Sequence, residues 1–63
     1  MLVIFGGGKK RARFAKGKIA DLLRALGIPQ EEALVKVNGA LAPDDAEIDA
    51  QDKVEVIRIV FGG

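Results

Sequence analysis

The chain alternates short apolar blocks with glycine, proline and acidic stretches, and each block predicts one element of secondary structure. Residues 1–5 are apolar and end at a run of three glycines, which predicts a β-strand followed by a turn. The glycine run matches neither phosphate-loop pattern, and no helix is predicted directly after it. Residues 11–15 have a weaker pattern, which predicts the returning edge strand of a hairpin.

The clearest periodicity in the chain follows this first hairpin and predicts an α-helix over residues 18–26. Apolar side chains recur there at the i, i+3, i+4 and i+7 spacing of a single helical stripe, at Ile19, Leu22, Leu23 and Leu26. Gly27 is placed to end the helix in the left-handed conformation, so that Ile28 folds back onto the helix. Pro29 prevents the helix from resuming.

A second hairpin is predicted after the helix. Residues 33–37 are β-prone and end at Asn38-Gly39, the dipeptide that best tolerates the positive φ angles of a two-residue hairpin turn. Residues 40–42 form the short returning strand. The acidic segment 43–52 is expected to be irregular, with Ile48 as its anchor to the core.

Residues 54–61 predict a final strand that is apolar on both sides. In simple alternation one side carries Glu55, Ile57, Ile59 and Phe61, and the other carries Val54, Val56, Arg58 and Val60. One explanation is that the domain covers one side and a partner protein covers the other. The alternatives are a central strand covered on both sides by its own domain, or a bulge that changes the register.

The order hairpin, helix, hairpin and strand predicts an α+β fold in which one helix packs on a mixed sheet of four to five strands. We expect residues 1–63 to form a single domain, because 63 residues leave no room for a second. Hydrophobic residues make up 49% of the chain, which is typical of a packed core and not of a disordered segment.

The composition narrows the possible chemistry. The chain contains no cysteine and no histidine, which removes thiol nucleophiles, imidazole bases and ordinary zinc or copper sites. A free enzyme is therefore the class of function that we expect least. No apolar stretch approaches the roughly twenty residues of a transmembrane helix, so we expect a cytoplasmic protein without a membrane partner.

The charges are unevenly distributed although the net charge is only +1. A basic segment over residues 9–18 contains six lysines and arginines and no acid, at Lys9, Lys10, Arg11, Arg13, Lys16 and Lys18. Such a segment favours either an RNA-binding or acidic-partner surface, or a solvated hairpin edge whose lysines discourage edge-to-edge pairing. We adopt the solvated edge, because Phe14 is the one aromatic residue in the segment, and we do not expect nucleic acid as a partner.

Four motifs stand out in the second half of the chain: residues 35–39 (Val-Lys-Val-Asn-Gly), 42–45 (Ala-Pro-Asp-Asp), 52–58 (Asp-Lys-Val-Glu-Val-Ile-Arg) and the final Gly62-Gly63. Together with the order of the elements, they resemble the β-grasp, ubiquitin-like sulfur carriers of the ThiS and MoaD types and the small archaeal modifier proteins. The first half of the chain agrees with that family in layout more than in residues.

The resemblance implies that Gly63 carries the reacting carboxylate and that Gly62 gives the tail clearance in a narrow enzyme channel. In the family an ATP-dependent activating enzyme adenylates this carboxylate. A sulfur donor then yields a thiocarboxylate, or a lysine amine yields an isopeptide bond. The chain is thus expected to be a carrier and not an enzyme, and it would bind no cofactor itself, since the activating enzyme uses the ATP.

The resemblance also implies docking on the activating enzyme through sheet residues near the tail. We expect Ile57, Ile59 and Phe61 to form this contact, with Arg58 at its polar rim. The resemblance further implies a sulfur donor and an acceptor protein or synthase as partners. Transfer of sulfur to tRNA or to molybdopterin or tungstopterin, conjugation to lysines, and a dedicated role in thiamin synthesis all remain possible destinations. The alternative from another class is a β-grasp RNA-binding module that uses the basic segment.

Overall fold

The computed structural model describes residues 1–5, 8–11 and 13–59. In chain order the described elements are β1 (Leu2–Phe5), β2 (Gly8–Arg11), β3 (Lys16–Lys18), α1 (Ile19–Leu26), β4 (Ala33–Val37), β5 (Ala40–Ala42), β6 (Glu47–Asp49) and β7 (Val54–Arg58). A 3-10 turn at Gln30–Glu32 connects α1 to β4. Helix α1 is far too short to cross a membrane, and the described residues contain no helix that could do so.

Five strands form one mixed sheet in the order β2-β1-β7-β4-β5. Strands β1 and β7 are parallel, and the other neighbours are antiparallel. Strands β3 and β6 pair separately as a small antiparallel sheet. The prediction of one helix packed on a mixed sheet is confirmed.

The core lies between α1 and one face of the large sheet. Three residues of the predicted helical stripe are at most 1% exposed, and they pack against valines of the three central strands. The buried residues are Val3, Ile19, Leu22, Leu23, Ile28, Val35, Ile48, Val54 and Val56. Leu26, the fourth residue of the stripe, is half-buried against this cluster. We call the opposite side of the five-stranded sheet the outer face.

The helix begins and ends close to the predicted positions. At its start the amide of Lys18 donates to the carboxylate of Asp21 at 3.1 Å, which satisfies one free donor of the first turn. The amides of residues 19 and 20 donate to the carbonyls of residues 46 and 44, at 3.0 and 2.8 Å. The acidic segment therefore caps the helix with its backbone.

At the C-terminal end of α1, Gly27 adopts the left-handed conformation with φ of 74°. The Ile28 amide then donates to the carbonyl of Leu23 at 2.9 Å, which is the six-to-one bond of a Schellman motif. Ile28 and Leu23 are both buried in the core. The predicted stop signal is confirmed.

The turn between β4 and β5 has the predicted geometry. Asn38 and Gly39 have φ angles of 53° and 88°, the positive values that a two-residue hairpin turn requires. The side chain of Asn38 also holds the segment before β7. Its Nδ2 donates to Asp52 at 3.0 Å, and its Oδ1 accepts from the Lys53 amide at 2.9 Å.

The carboxylate of Asp52 accepts a second bond, from the backbone amide of Asp49 at 2.8 Å. The Asp49 amide, followed by the Asn38 side chain, lowers the pKa of the Asp52 carboxyl below its ordinary value. We call Asn38, Asp52 and Lys53 the polar clip, because they join the β4–β5 turn to the start of β7.

The prediction of the second strand and of the turn before it was wrong in its bounds. The second strand covers Gly8–Arg11 and not residues 11–15, so Gly8 belongs to a strand and not to the predicted turn. The other two residues of the glycine run lie outside the described residues. Strand β2 has no apolar side chain, and its pairing with β1 at the edge of the sheet defines it as a strand.

The prediction that residues 43–52 are irregular was also wrong. They contain β6, which pairs with β3 through the register Gly17↔Ile48. Ile48 is 3% exposed, so its predicted role as the anchor of this segment is confirmed. Gly17 allows a close approach here, because a Cβ atom at this position would lie 2.8 Å from the Phe14 ring.

Candidate functional site

The candidate site is built on β7, which lies between β1 and β4 in the sheet. Val54 and Val56 are fully buried on the helix-facing side, and Glu55 and Ile57 alternate with them toward the outer face. The register with β4 runs without interruption from Val54 to Arg58. This register excludes a bulge within β7.

The outer face carries several large apolar side chains that remain exposed. Leu34 lies directly opposite Ile57 in the β4–β7 register, and its exposed fraction is 47%. Leu41 on β5 is 64% exposed, and Leu2 on β1 is 43% exposed. The described residues therefore leave an apolar surface uncovered on the outer face. The apolar residues on the outer side of β7 belong to this surface.

Charged side chains cross the middle of this apolar surface. The sheet register aligns the cross-strand neighbours Lys9, Ile4, Glu55, Lys36 and Leu41 in one row. Leu34 and Ile57 lie in a separate row toward the C-terminal end of β7. An apolar centre beside polar residues is the usual anatomy of a protein–protein interface.

The end of β7 is attached to the 3-10 turn. The Ile59 amide donates to the carbonyl of Glu32 at 2.8 Å, and Arg58 Nη2 lies 3.2 Å from Glu32 Oε1. Both side chains of the ion pair are about half exposed, so the pair itself contributes less than about 1 kcal/mol. The backbone bond extends the β4–β7 contact by one residue, and we call Arg58 and Ile59 the tail root.

The structure describes three of the predicted site residues. Ile57 lies on the outer face, half-buried beside Leu34, and Ile59 is half-buried at the tail root. Arg58 follows the alternation of the buried valines and pairs with Glu32, so its role at the rim of an interface stays a prediction. The predicted strand over residues 54–61 is observed as Val54–Arg58, and Phe61, Gly62 and Gly63 lie outside the described residues.

The exposed leucines were not predicted from the sequence. For Leu34 the signal was present in residues 33–37, where it adds an apolar side chain on the side opposite Val35. That two-sided pattern is weaker than the pattern of β7, because Lys36 follows on the same side as Leu34.

Comparisons with known proteins agree with this architecture. The family model for small archaeal modifier protein 2 matches residues 1–60. The small archaeal modifier protein 2 of Haloferax volcanii is 38% identical over 47 residues, which are 75% of this chain and 70% of that protein. The thiamine biosynthesis protein ThiS of Geobacter metallireducens superposes with a TM-score of 0.65 at 26% identity, over the full length of both chains.

The structural match confirms the predicted β-grasp arrangement of one helix on a mixed sheet. The family match covers residues 1–60 of the 63 and does not include Phe61, Gly62 and Gly63. The chain therefore belongs to the small archaeal modifier protein 2 family and is a ubiquitin-like modifier or sulfur carrier of the ThiS and MoaD type.

Proposed function

We propose that this chain is a carrier whose reactive group is the carboxylate of Gly63, and that it catalyses no reaction itself. The observation that supports this most directly is the apolar pair Leu34 and Ile57, on the outer face and close to the tail root. Such a surface allows an activating enzyme to bind the folded domain while the residues that follow Ile59 reach its active site.

The first step is adenylation. A carboxylate is a poor electrophile because its negative charge repels nucleophiles. A Gly63 oxygen attacks the α-phosphorus of ATP in the activating enzyme, pyrophosphate leaves, and an acyl-adenylate forms. The ATP site and the groups that stabilise this reaction belong to the enzyme.

The second step replaces AMP. A sulfide-level donor attacks the carbonyl carbon of the adenylate, AMP leaves with the bonding electrons, and a thiocarboxylate remains on Gly63. If a lysine amine attacks instead, the product is an isopeptide bond and the amine loses a proton. Gly62 suits both routes, because a residue without Cβ permits close approach in a narrow channel.

The destination of the sulfur is a separate part of the proposal. We propose transfer to tRNA or to molybdopterin or tungstopterin, together with conjugation to lysines, because the chain belongs to a modifier family. A dedicated carrier for thiamin synthesis is the second candidate, supported by the likeness to a ThiS protein. Intact mass spectrometry of protein from the native host distinguishes the products, since a thiocarboxylate exchanges one oxygen for sulfur and a conjugate appears on lysine.

The test of the carrier role uses tail variants with the activating enzyme of the same host. Deletion of Gly63, or addition of one residue after it, is expected to abolish ATP–pyrophosphate exchange while circular dichroism and thermal unfolding stay unchanged. Normal exchange by either variant would refute the proposal.

A matched control changes a glycine far from the tail. Gly39→Asn alters the β4–β5 turn, where asparagine also tolerates positive φ, and it leaves the chain end intact. This variant is expected to be adenylated like the unmodified protein. Equal loss in the control would show that the assay reports folding and not the tail.

A further inference from the structure

Five cations of the basic segment are exposed and form no ion pair with another described residue. Lys9, Arg11, Arg13, Lys16 and Lys18 are all exposed. In the part of the chain that the structure describes, the ion pairs are Arg24–Asp21 and Arg58–Glu32, so none of these five cations forms an ion pair, although Lys16 and Lys18 lie opposite Asp49 and Glu47 in the β3–β6 register.

Strand β2 directs two of these cations to one side. Lys9 and Arg11 are the register partners of Ile4 and Leu2, which lie toward the outer face. Alternate residues of a strand are about 7 Å apart, so the two charges form a spaced row along the edge of the sheet. Cations on an edge strand also prevent it from pairing with another chain. That role alone does not explain the grooves that lie beside β2.

Two adjoining shallow grooves continue this row. Arg11 and Arg13 flank the first groove, whose other lining residues are Met1, Phe14, Ala15 and Ala50. The second groove shares Ala50 and contains two more cations, and its lining residues are Leu2, Ile4, Lys9, Ala50, Gln51, Asp52 and Lys53. We call the surface of Lys9, Arg11, Arg13 and Lys53 the basic groove.

The basic groove contains one acid, and hydrogen bonds already engage it. The Asp52 carboxylate accepts from the Asp49 amide and from the Asn38 side chain, as part of the polar clip. The four cations therefore outnumber the single acid along both grooves.

The chemistry of the groove favours a repeating anion. The described residues include no buried polar or charged side chain, so the groove has no fixed hydrogen-bonding group that would select one particular carboxylate. A row of exposed cations instead matches the evenly spaced charges of a phosphodiester backbone, which proteins bind through lysine and arginine without reading sequence. Phe14 is half-buried over Gly17, so we expect phosphate contacts to exceed base stacking.

The basic groove lies away from the tail root. Lys53 directly precedes β7, and Met1 and Leu2 lie at the end of β1 that pairs near Val54. Strand β7 is five residues long, or about 16 Å, and the tail root is at its other end. A ligand in the groove therefore leaves the tail root accessible.

We propose that the basic groove binds the phosphodiester backbone of single-stranded nucleic acid. This inference goes beyond the carrier function, since it makes no use of Gly63. It replaces the expectation, based on composition alone, that nucleic acid is not a partner. The structural reason is that Lys9, Arg11 and Arg13 of the segment line two adjoining grooves together with Lys53, a residue outside it.

The test is fluorescence anisotropy with labelled oligo(U) and oligo(dT) of about 12 nucleotides, at a series of salt concentrations. Four phosphate contacts on a single strand predict a slope of log affinity against log salt of about −2.8. Affinity should thus fall about 50-fold between 50 and 200 mM salt. For the double variant R11Q/R13Q we expect weaker binding and a slope reduced by about half, so its affinity falls about sevenfold over that range.

The matched control is R24Q/K36Q, which removes the same charge from α1 and from the middle of the sheet. We expect it to retain the slope of the unmodified protein, and a variant lacking Gly62 and Gly63 to bind normally. Equal binding of the two oligonucleotides would assign the affinity to the backbone alone, and a preference for oligo(U) would add a contribution from the ribose hydroxyls.

Three results would overturn the proposal. They are no binding at 50 mM salt, an equal loss of affinity in R24Q/K36Q, and binding of polyglutamate as tight as binding of an oligonucleotide of the same charge. The last result would identify the groove as a surface for acidic proteins. Circular dichroism of each variant verifies that the fold is intact.

Discussion

Replacing Leu34 with alanine tests whether the outer face is the docking surface for the activating enzyme. Leu34 is 47% exposed and lies opposite Ile57. Complete burial of a leucine side chain contributes about 1.5–3 kcal/mol, so burial of the exposed half contributes about 1 kcal/mol. Leu34→Ala should therefore raise the KM for activation about fivefold, since 1.4 kcal/mol corresponds to a factor of ten.

The turnover number is expected to stay the same. We expect docking on Leu34 to be equally strong before and during adenylation, and an interaction of that kind affects KM and not kcat. ATP–pyrophosphate exchange at increasing concentrations of the carrier separates the two constants. Urea unfolding of Leu34→Ala measures how much the substitution destabilises the domain, and so how much of the rise in KM comes from lost folding and not from lost docking.

The control is Leu41→Ala. It removes the same kind of side chain from the same face, but from β5 at the edge of the sheet, and Leu41 is even more exposed at 64%. If docking is centred near the tail root, this variant activates normally. An unchanged KM for Leu34→Ala, or an equal rise for Leu41→Ala, would refute this location of the docking surface.

Three further predictions concern stability. Leu23→Ala, at a site 1% exposed, should lower the free energy of unfolding by about 2–5 kcal/mol in urea titration, a large share of what a domain of this size possesses. Gly17→Ala should lower the thermal midpoint by about 5–15 °C in calorimetry, because Gly17 has φ of 156° and its new Cβ would meet the Phe14 ring. Because the pKa of Asp52 is lowered in the folded protein, its ionised carboxylate stabilises the fold at pH values above the ordinary pKa of 3.8. This stabilisation is lost as the pH falls through 3.8 toward the lower pKa of the folded state. The stability difference between the unmodified protein and Asp52→Asn should therefore be constant near neutral pH and shrink below about pH 4 in urea titrations; a difference independent of pH would contradict the role of the polar clip.

The elements predicted correctly from the sequence depend on local interactions. Helix α1 has an apolar stripe and a glycine stop signal within a few residues, and the Asn38-Gly39 turn requires only two residues with positive φ. Both signals are complete within a short window of sequence. Tertiary packing then adds to them without changing them.

The missed elements depend on distant partners. Strands β3 and β6 are three residues each, and the register joins Lys16 to Asp49 across about half of the chain. Neither segment has the apolar alternation that predicts a strand, because each holds one non-polar position between charged residues. The error at β2 has the same cause. Its charged residues show no strand pattern, and only the pairing with β1 identifies them as a strand.

The same limit applies to the candidate site. The two-sided apolar pattern of residues 54–61 predicted a second covered face, and Ile57 does lie on the outer face. Leu34 becomes part of the site only through its register with Ile57, and Lys53 becomes part of the basic groove only through its position beside Leu2 and Ile4. Each of these two contacts joins residues of different strands, so the pattern along one segment of sequence could not predict it.

Strand β7 links stability to function because its inner side forms part of the core and its outer side forms part of the proposed docking surface. Its inner valines are fully buried, so their truncation creates cavities and unfolds the domain, whereas its outer side ends in Ile57 beside an exposed leucine. In the described residues, hydrogen bonds to β1 and β4 hold positions 54–56 on both edges, whereas Arg58 and Ile59 are held on the β4 edge alone, with the Glu32 carbonyl as the last acceptor. Ile57 therefore lies on a strand that is already ordered before docking, which lowers the entropy lost when an enzyme binds this face.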